Sequence, residues 1–130
     1  MKIFGIGTDI VNIKRIEQSL KKNKSTFINK IFSEKEISYC ENKKNSSAFY
    51  AKRFAAKEAF CKAIGTGFRD GFNFRDISIV NNKLGKPFIL ITDKINKIIK
   101  NQFKVSSFNF FLSISDEKKY SLAYVVLQKK

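Results

Sequence analysis

Apolar positions along this chain change period several times, and each change predicts an element. Residues 3–9, IFGIGTD, alternate loosely, with Ile3, Gly5, Gly7 and Asp9 on one side and Phe4, Ile6 and Thr8 on the other. That pattern predicts a short first strand ending at Asp9. Ile13, Ile16 and Leu20 then recur at helical spacing, predicting a helix that begins near Asn12 and is closed by the basic run KKNKS. Ser33 with Glu36 three residues on has the spacing of a capping box, so a second helix starts there. After the Lys/Asn-rich run ENKKNSS a long helix begins near Ser47. Alanines at 51, 55, 56, 59 and 63 favour it, and Gly65 and Gly67 supply its stop.

Beyond Gly67 the period shortens. FRDISIV, the turn NNKLGKP and FILI read as a hairpin, with Pro87 tolerated at the turn or the first strand position. Thr92 caps another helix with apolar positions Ile95, Ile98 and Ile99. FNFFLSIS and YSLAYVVLQ return to strands, joined by a turn at DEKK. Phe108, Phe110, Leu112 and Ile114 share one face of the first of these, and Asn109, Phe111, Ser113 and Ser115 the other. No repeat or linker interrupts the series. The expectation is one α+β domain over residues 1–130, an antiparallel sheet packed against the long alanine-rich helix, favoured over a doubly wound sheet.

Composition narrows this picture. With 130 residues, 43% of them hydrophobic and fourteen of them phenylalanine, the chain supports one core. No stretch has the length and apolarity of a signal or membrane-spanning segment, and a cytoplasmic, soluble protein with no membrane partner is expected. Cys40 and Cys61 form neither a metal pair nor a disulfide framework. The formal charge of +15, from 26 Lys and Arg against 11 Asp and Glu, draws anionic partners without naming them. The complete absence of histidine excludes histidine triads, histidine metal sites and a histidine base.

The chemistry concentrates in RFAAKEAFCKAIGTG, residues 53–67. Helical spacing puts Glu58 and Lys62 in one angular sector with Ala51, Phe54 and Ala55, a sector expected to turn inward. An acid carried into a packed wall needs a compensating cation. If the first strand crosses this helix, Asp9 and Glu58 converge as two hard oxygen ligands beside small neighbours. That donor set suits Mg2+, which keeps waters and completes its shell with substrate phosphates; zinc lacks its ligands here. The plainer alternatives are a turn or capping role for Asp9 and an i,i+4 ion pair between Glu58 and Lys62. Arg53 and Lys57 point to a different side of the helix and read either as anion-binding heads or as its solvated rim. LGKP and GIGTDI match neither a Walker loop nor a dinucleotide fingerprint. Ser113 and Ser115 have no base to activate them.

Taken together, GIGTDIVNIKRIE, FSEKE, RFAAKEAFCKAIGTG and LGKP resemble the holo-[acyl-carrier-protein] synthase family of 4'-phosphopantetheinyl transferases, in the family's order and over nearly the whole chain. The resemblance implies transfer of the phosphopantetheine arm of coenzyme A to a serine of apo-acyl carrier protein. Asp9 and Glu58 then match the magnesium-binding acids, and Lys62 the lysine near the pyrophosphate. Arg53, Lys57, Gly85, Lys86 and Pro87 match positions that bind coenzyme A or wall its pocket, and Arg15 matches a basic position that meets the acidic carrier. The family also implies a homotrimer with sites between subunits. Either Glu58 or a metal-bound water takes the serine proton, the water being the better base because Glu58 is committed to the ion. Where the family commonly carries His-x-Ser and Ser-His, this chain reads FLSISD, with Phe111 and Asp116 in the histidine positions. A small basic nucleic-acid-binding domain and a catalytically degenerate homologue are the competing expectations.

Overall fold

The computed structural model describes residues 2–65 and 73–130. Gly67, expected to help stop the long helix, lies outside the described residues. The first strand, β1 (Lys2–Asn12), is longer than the loose alternation suggested and holds Asp9 within it. Asp9 is thus not a capping acid. Asn12 caps the next helix, its side chain accepting from Lys14 N at 2.9 Å. Helix α1 (Ile13–Ile31) does not stop at KKNKS either. It kinks at Asn23, whose φ −158 and ψ 73 are non-helical, and then resumes because Ile28 and Ile31 reach the core.

Helix α2 (Glu34–Glu41) opens on the capping box read from the sequence, Glu36 N donating to Ser33 Oγ while Ser33 N donates to Glu36 Oε1. Helix α3 (Ser46–Ile64) ends on Gly65 at φ 86, a left-handed cap that glycine adopts without a Cβ penalty. A 3-10 turn (Phe74–Asp76) replaces the start of the expected strand and leads into β2 (Ile77–Asn81), which pairs with β3 (Pro87–Ile91). Helix α4 (Asp93–Phe103), capped by Thr92, and strands β4 (Phe108–Asp116) and β5 (Tyr120–Lys129) complete the chain.

The main sheet is antiparallel in the order β1-β5-β4, and β2-β3 is a separate two-stranded ribbon. Register makes the main sheet two-sided. Gly5, Leu127 and Phe110 form one inward row, Gly7, Val125 and Leu112 the next, and Asp9, Ala123 and Ile114 a third. Helix α3 packs on that face, with Phe60 and Phe110 ring centroids 4.5 Å apart. Each fully buried side chain such as Phe60, Ile95 or Ile99 adds about 1.5–3 kcal/mol of transfer free energy. The outward rows, Ile6, Val126 and Phe111 and then Ile10, Leu122 and Ser115, face away from α3. Among the described residues no helix is long and apolar enough to cross a membrane.

Candidate functional site

Small residues decide how closely β1 crosses α3. A Cβ on Gly5 would lie 1.9 Å from Ala63 O, and one on Gly7 1.9 Å from Ala59 O. Any side chain at either position would force strand and helix apart. Their contact brings the next inward residue of the strand, Asp9, beside the side chains one turn along the helix. Lys62 Nζ donates to Asp9 Oδ1 at 3.2 Å and to Thr8 O at 2.9 Å. Asp9, Glu58 and Arg15 line a single cavity of about 500 Å³, with Ile16, Lys22 and Phe54.

The electrostatics of this crossing are undercompensated. Glu58 is half-buried and, among the described residues, its carboxylate has no hydrogen-bond or ion-pair partner. Burial holds its pKa above the ordinary value, the charge of Asp9 raises it further, and Lys62 pulls it back only in part. The alternative reading, an i,i+4 pair between Glu58 and Lys62, does not form, because the lysine reaches across to β1 instead. The expectation of an inward sector is corrected as well: Lys62 is exposed and Glu58 stands at the lip of the cavity.

A cation between Asp9 and Glu58 would relieve their repulsion. Among the described residues no group of three or more His, Cys, Asp or Glu side chains is placed to hold a metal. The crossing therefore offers two carboxylates, leaving the other positions to water or a ligand's oxygens. Magnesium fits that donor set, and a zinc cage or a many-coordinate calcium cage does not. Cys61, on α3 near Glu58, adds no ligand, since burial pushes its thiol up to about 12.

The other side of α3 is where the charges are buried. Arg53 is 3% exposed and Lys57 0%. Neither is a solvated rim, because α2 and the β2–β3 ribbon cover this flank. Arg53 Nη1 donates to Phe49 O at 3.3 Å and Nη2 to Asn81 Oδ1 at 2.8 Å. Asn81 Nδ2 donates in turn to Gly85 O at 2.9 Å, bracing the turn in which Gly85 takes φ 89. Arg53, Gly85 and Pro87 line a second cavity of about 240 Å³, with Tyr39, Phe49 and Lys52. Lys86 sits on the exposed turn beside it.

Lys57 is corrected more sharply. Its ammonium spends all three donors inside the protein, on Glu36 Oε1 at 2.5 Å, Ile77 O at 2.5 Å and Phe74 O at 2.7 Å, so it walls neither cavity. Glu36 was legible only as a capping residue; its second role depends on an element distant in sequence and carries no local signal. The two positions that depart from the family pattern lie on opposite faces of β4. Phe111 is 51% exposed on the outward face, whereas Asp116 borders the second cavity and meets Lys52 Nζ at 3.6 Å.

Residues 5–125 match the model of the 4'-phosphopantetheinyl transferase superfamily. The chain is 63% identical to a holo-[acyl-carrier-protein] synthase of Pelagibacter ubique over 130 residues, covering 100% of both chains. The crystal structure of holo-[acyl-carrier-protein] synthase from Neisseria meningitidis superposes with a TM-score of 0.88 at 41% identity, covering 98% of this chain and 100% of that one. The enzyme from Bacillus anthracis, solved in complex with CoA (3',5'-ADP), superposes with a TM-score of 0.80 at 35% identity and 98% coverage of each.

Proposed function

The chain belongs to the 4'-phosphopantetheinyl transferase superfamily, and from that membership we propose that it moves the 4'-phosphopantetheine of coenzyme A to a serine of apo-acyl carrier protein. The products are holo-acyl carrier protein and adenosine 3',5'-bisphosphate. The observation that carries this function is the convergence of Asp9, Glu58 and Lys62 where β1 crosses α3, at the mouth of a cavity that Arg15 also lines. Incubating the protein with coenzyme A, magnesium and apo-acyl carrier protein and weighing the carrier tests it. A mass gain of one phosphopantetheinyl group is expected; an unmodified carrier, with nucleic acid retained at physiological salt, would replace it with the binding-domain alternative.

Phosphoryl transfer asks the protein mainly for alignment and for positive charge around the phosphate. Asp9 and Glu58 would hold Mg2+, which when bound supplies charge neutralisation at the pyrophosphate of coenzyme A. Among the described residues Lys62 keeps one N–H free after donating to Thr8 and Asp9, and that donor serves a phosphate oxygen. Arg15, exposed on the first turns of α1, faces the acidic carrier. The second cavity, with Arg53, Gly85 and Pro87, receives the nucleotide end of coenzyme A, and Lys86 stands at its edge. Lys57 serves this end only by holding the flank behind it.

The acting unit is one domain over residues 1–130, assembled as a closed trimer. Support for assembly comes from the outward face of the main sheet, where Ile6 is 58%, Ile10 62%, Leu122 42% and Tyr124 43% exposed on contiguous rows. A monomer mass by light scattering at micromolar concentration would remove the trimer. Cys40 and Cys61, both free and buried, suit a reducing compartment, and the cytoplasm, where carrier for fatty acid synthesis is made, is the proposed location.

A further inference from the structure

The β2–β3 ribbon shares no ladder with the main sheet, yet it forms one wall of the second cavity through Asn81, Gly85 and Pro87. Its orientation relative to α3 must come from something other than strand pairing. Besides the burial of Ile77 and Ile79 in the core, four side-chain ties supply it, the first being the Arg53–Asn81 hydrogen bond described above. Lys57 donates to Ile77 O and to Phe74 O just before it, at the start of β2. Ile79 N, two residues along the same strand, donates to Glu36 Oε2 at 3.0 Å. Between them Ser78 Oγ donates to Ser33 Oγ at 2.7 Å.

Glu36 and Lys57 close this arrangement on each other. Both side chains are 0% exposed, and every donor of the ammonium and both oxygens of the carboxylate are in use. A pair this well satisfied is costly to desolvate, and apolar residues of the same volume often stabilise a fold equally. What apolar residues do not supply is direction, which these bonds give by pointing at the backbone of β2. Lys57 also precedes Glu58, so the residue that anchors the ribbon and the residue that faces the first cavity are rigidly related, about 100° apart on one helix.

We propose that Glu36 and Lys57 are positioning residues that set the ribbon wall of the second cavity relative to the Asp9–Glu58 crossing, and thereby the reach of coenzyme A between the two. This rests on the transferase reading above. Neither residue touches substrate; each acts through the strand it holds. Loosening the pair should shift the ribbon and leave the β1–α3 crossing, which the glycines set, in place.

The test uses the full chain with Glu36→Gln and with the charge-neutral double variant Glu36→Gln/Lys57→Gln, each checked by circular dichroism and assayed well below its melting temperature. The double variant is expected to raise the KM for coenzyme A about tenfold while the KM for carrier stays within roughly twofold, with Glu36→Gln alone moving in the same direction by less. A folded double variant with both KM values unchanged, or with both raised equally, would overturn the proposal. Amide hydrogen exchange in Glu36→Gln provides a reading independent of turnover and of whether the double variant folds. Ile79, Val80 and Asn81 should exchange faster while the amides of β1 and β5 hold, and exchange at the wild-type rate in the ribbon would also overturn it. A wild-type protein that modified no carrier would refute the transferase function alone, and the exchange result would still decide the role of the pair.

Discussion

Lys57 and Lys62 stand on the same helix and each meets a carboxylate, Glu36 for the first and Asp9 for the second, in opposite surroundings. The Lys57 pair is fully buried and saturated with hydrogen bonds. Lys62 is exposed, and beside its partner stands Glu58, half-buried with no partner of its own among the described residues. Burial removes water from both sides, but only one side is fully repaid by internal partners. Closed charges of the first kind hold architecture. Charges left partly unmet at a cavity keep free energy available for a ligand, which is what an electrostatic site requires.

Breaking the closed side should have the largest effect. Lys57→Met leaves Glu36 buried without its counter-charge, a loss on the order of 3–5 kcal/mol. In a chain of this size that is a fall in Tm of roughly 10–20 °C. Lys62→Met, at an exposed position, should melt close to wild type. Thermal denaturation of the two variants side by side is the measurement, and equal falls would abolish the contrast between them.

The open side should fail in the other currency. Glu58→Gln keeps the shape of the side chain and should cut carrier modification by roughly 10²-fold without lowering Tm, the scale of losing one preorganised electrostatic group. Asp9→Asn should do the same, and the double variant should fall well short of the product of the two, because both carboxylates serve one ion. Turnover against magnesium concentration checks this; wild-type turnover with an unchanged metal requirement in Glu58→Gln would take Glu58 out of the site.

Arg15 sharpens the comparison at the edge of the open side. Arg15→Glu places a negative charge where an acidic carrier docks and should raise the carrier KM about tenfold while leaving that for coenzyme A nearly unchanged. Parallel rises in both would remove carrier recognition as the role of Arg15.

The smallest effect concerns pH. Glu58 holds its proton to higher pH when folded than when unfolded, so its contribution favours the folded state below the ordinary carboxylate value of 4.5 and is lost as pH rises through the folded pKa. At pH 7 without divalent cation Glu58→Gln should therefore melt slightly above wild type, and the difference should vanish in acid. Added magnesium should narrow or reverse it. A variant melting below wild type at pH 7 in chelator would mean that Glu58 is already paired.

What the sequence determined by itself is local. The caps at Ser33 and Thr92, the alternation of β4 and β5 and the ribbon between Ile77 and Ile91 were legible because each depends on residues within a few positions of one another. Asp9 and Glu58 were legible as a pair for a related reason: Gly5, Gly7 and the alanines of α3 announce two backbones that touch. Periodicity misjudged α1, since a kink at Asn23 hides inside a polar run and only the later burial of Ile28 and Ile31 shows that the helix continues. Tertiary structure alone decided which charges of α3 are buried. A helix covered on two flanks has no single inward sector, so angular spacing separates Lys57 from Lys62 but does not say which of them meets water. The ribbon and α2 cover one, while the edge of β1 leaves the other exposed. The second cavity belongs to the same class, because Arg53, Gly85 and Asp116 come from three elements whose meeting is set by packing, and packing leaves no mark on the spacing of any one of them.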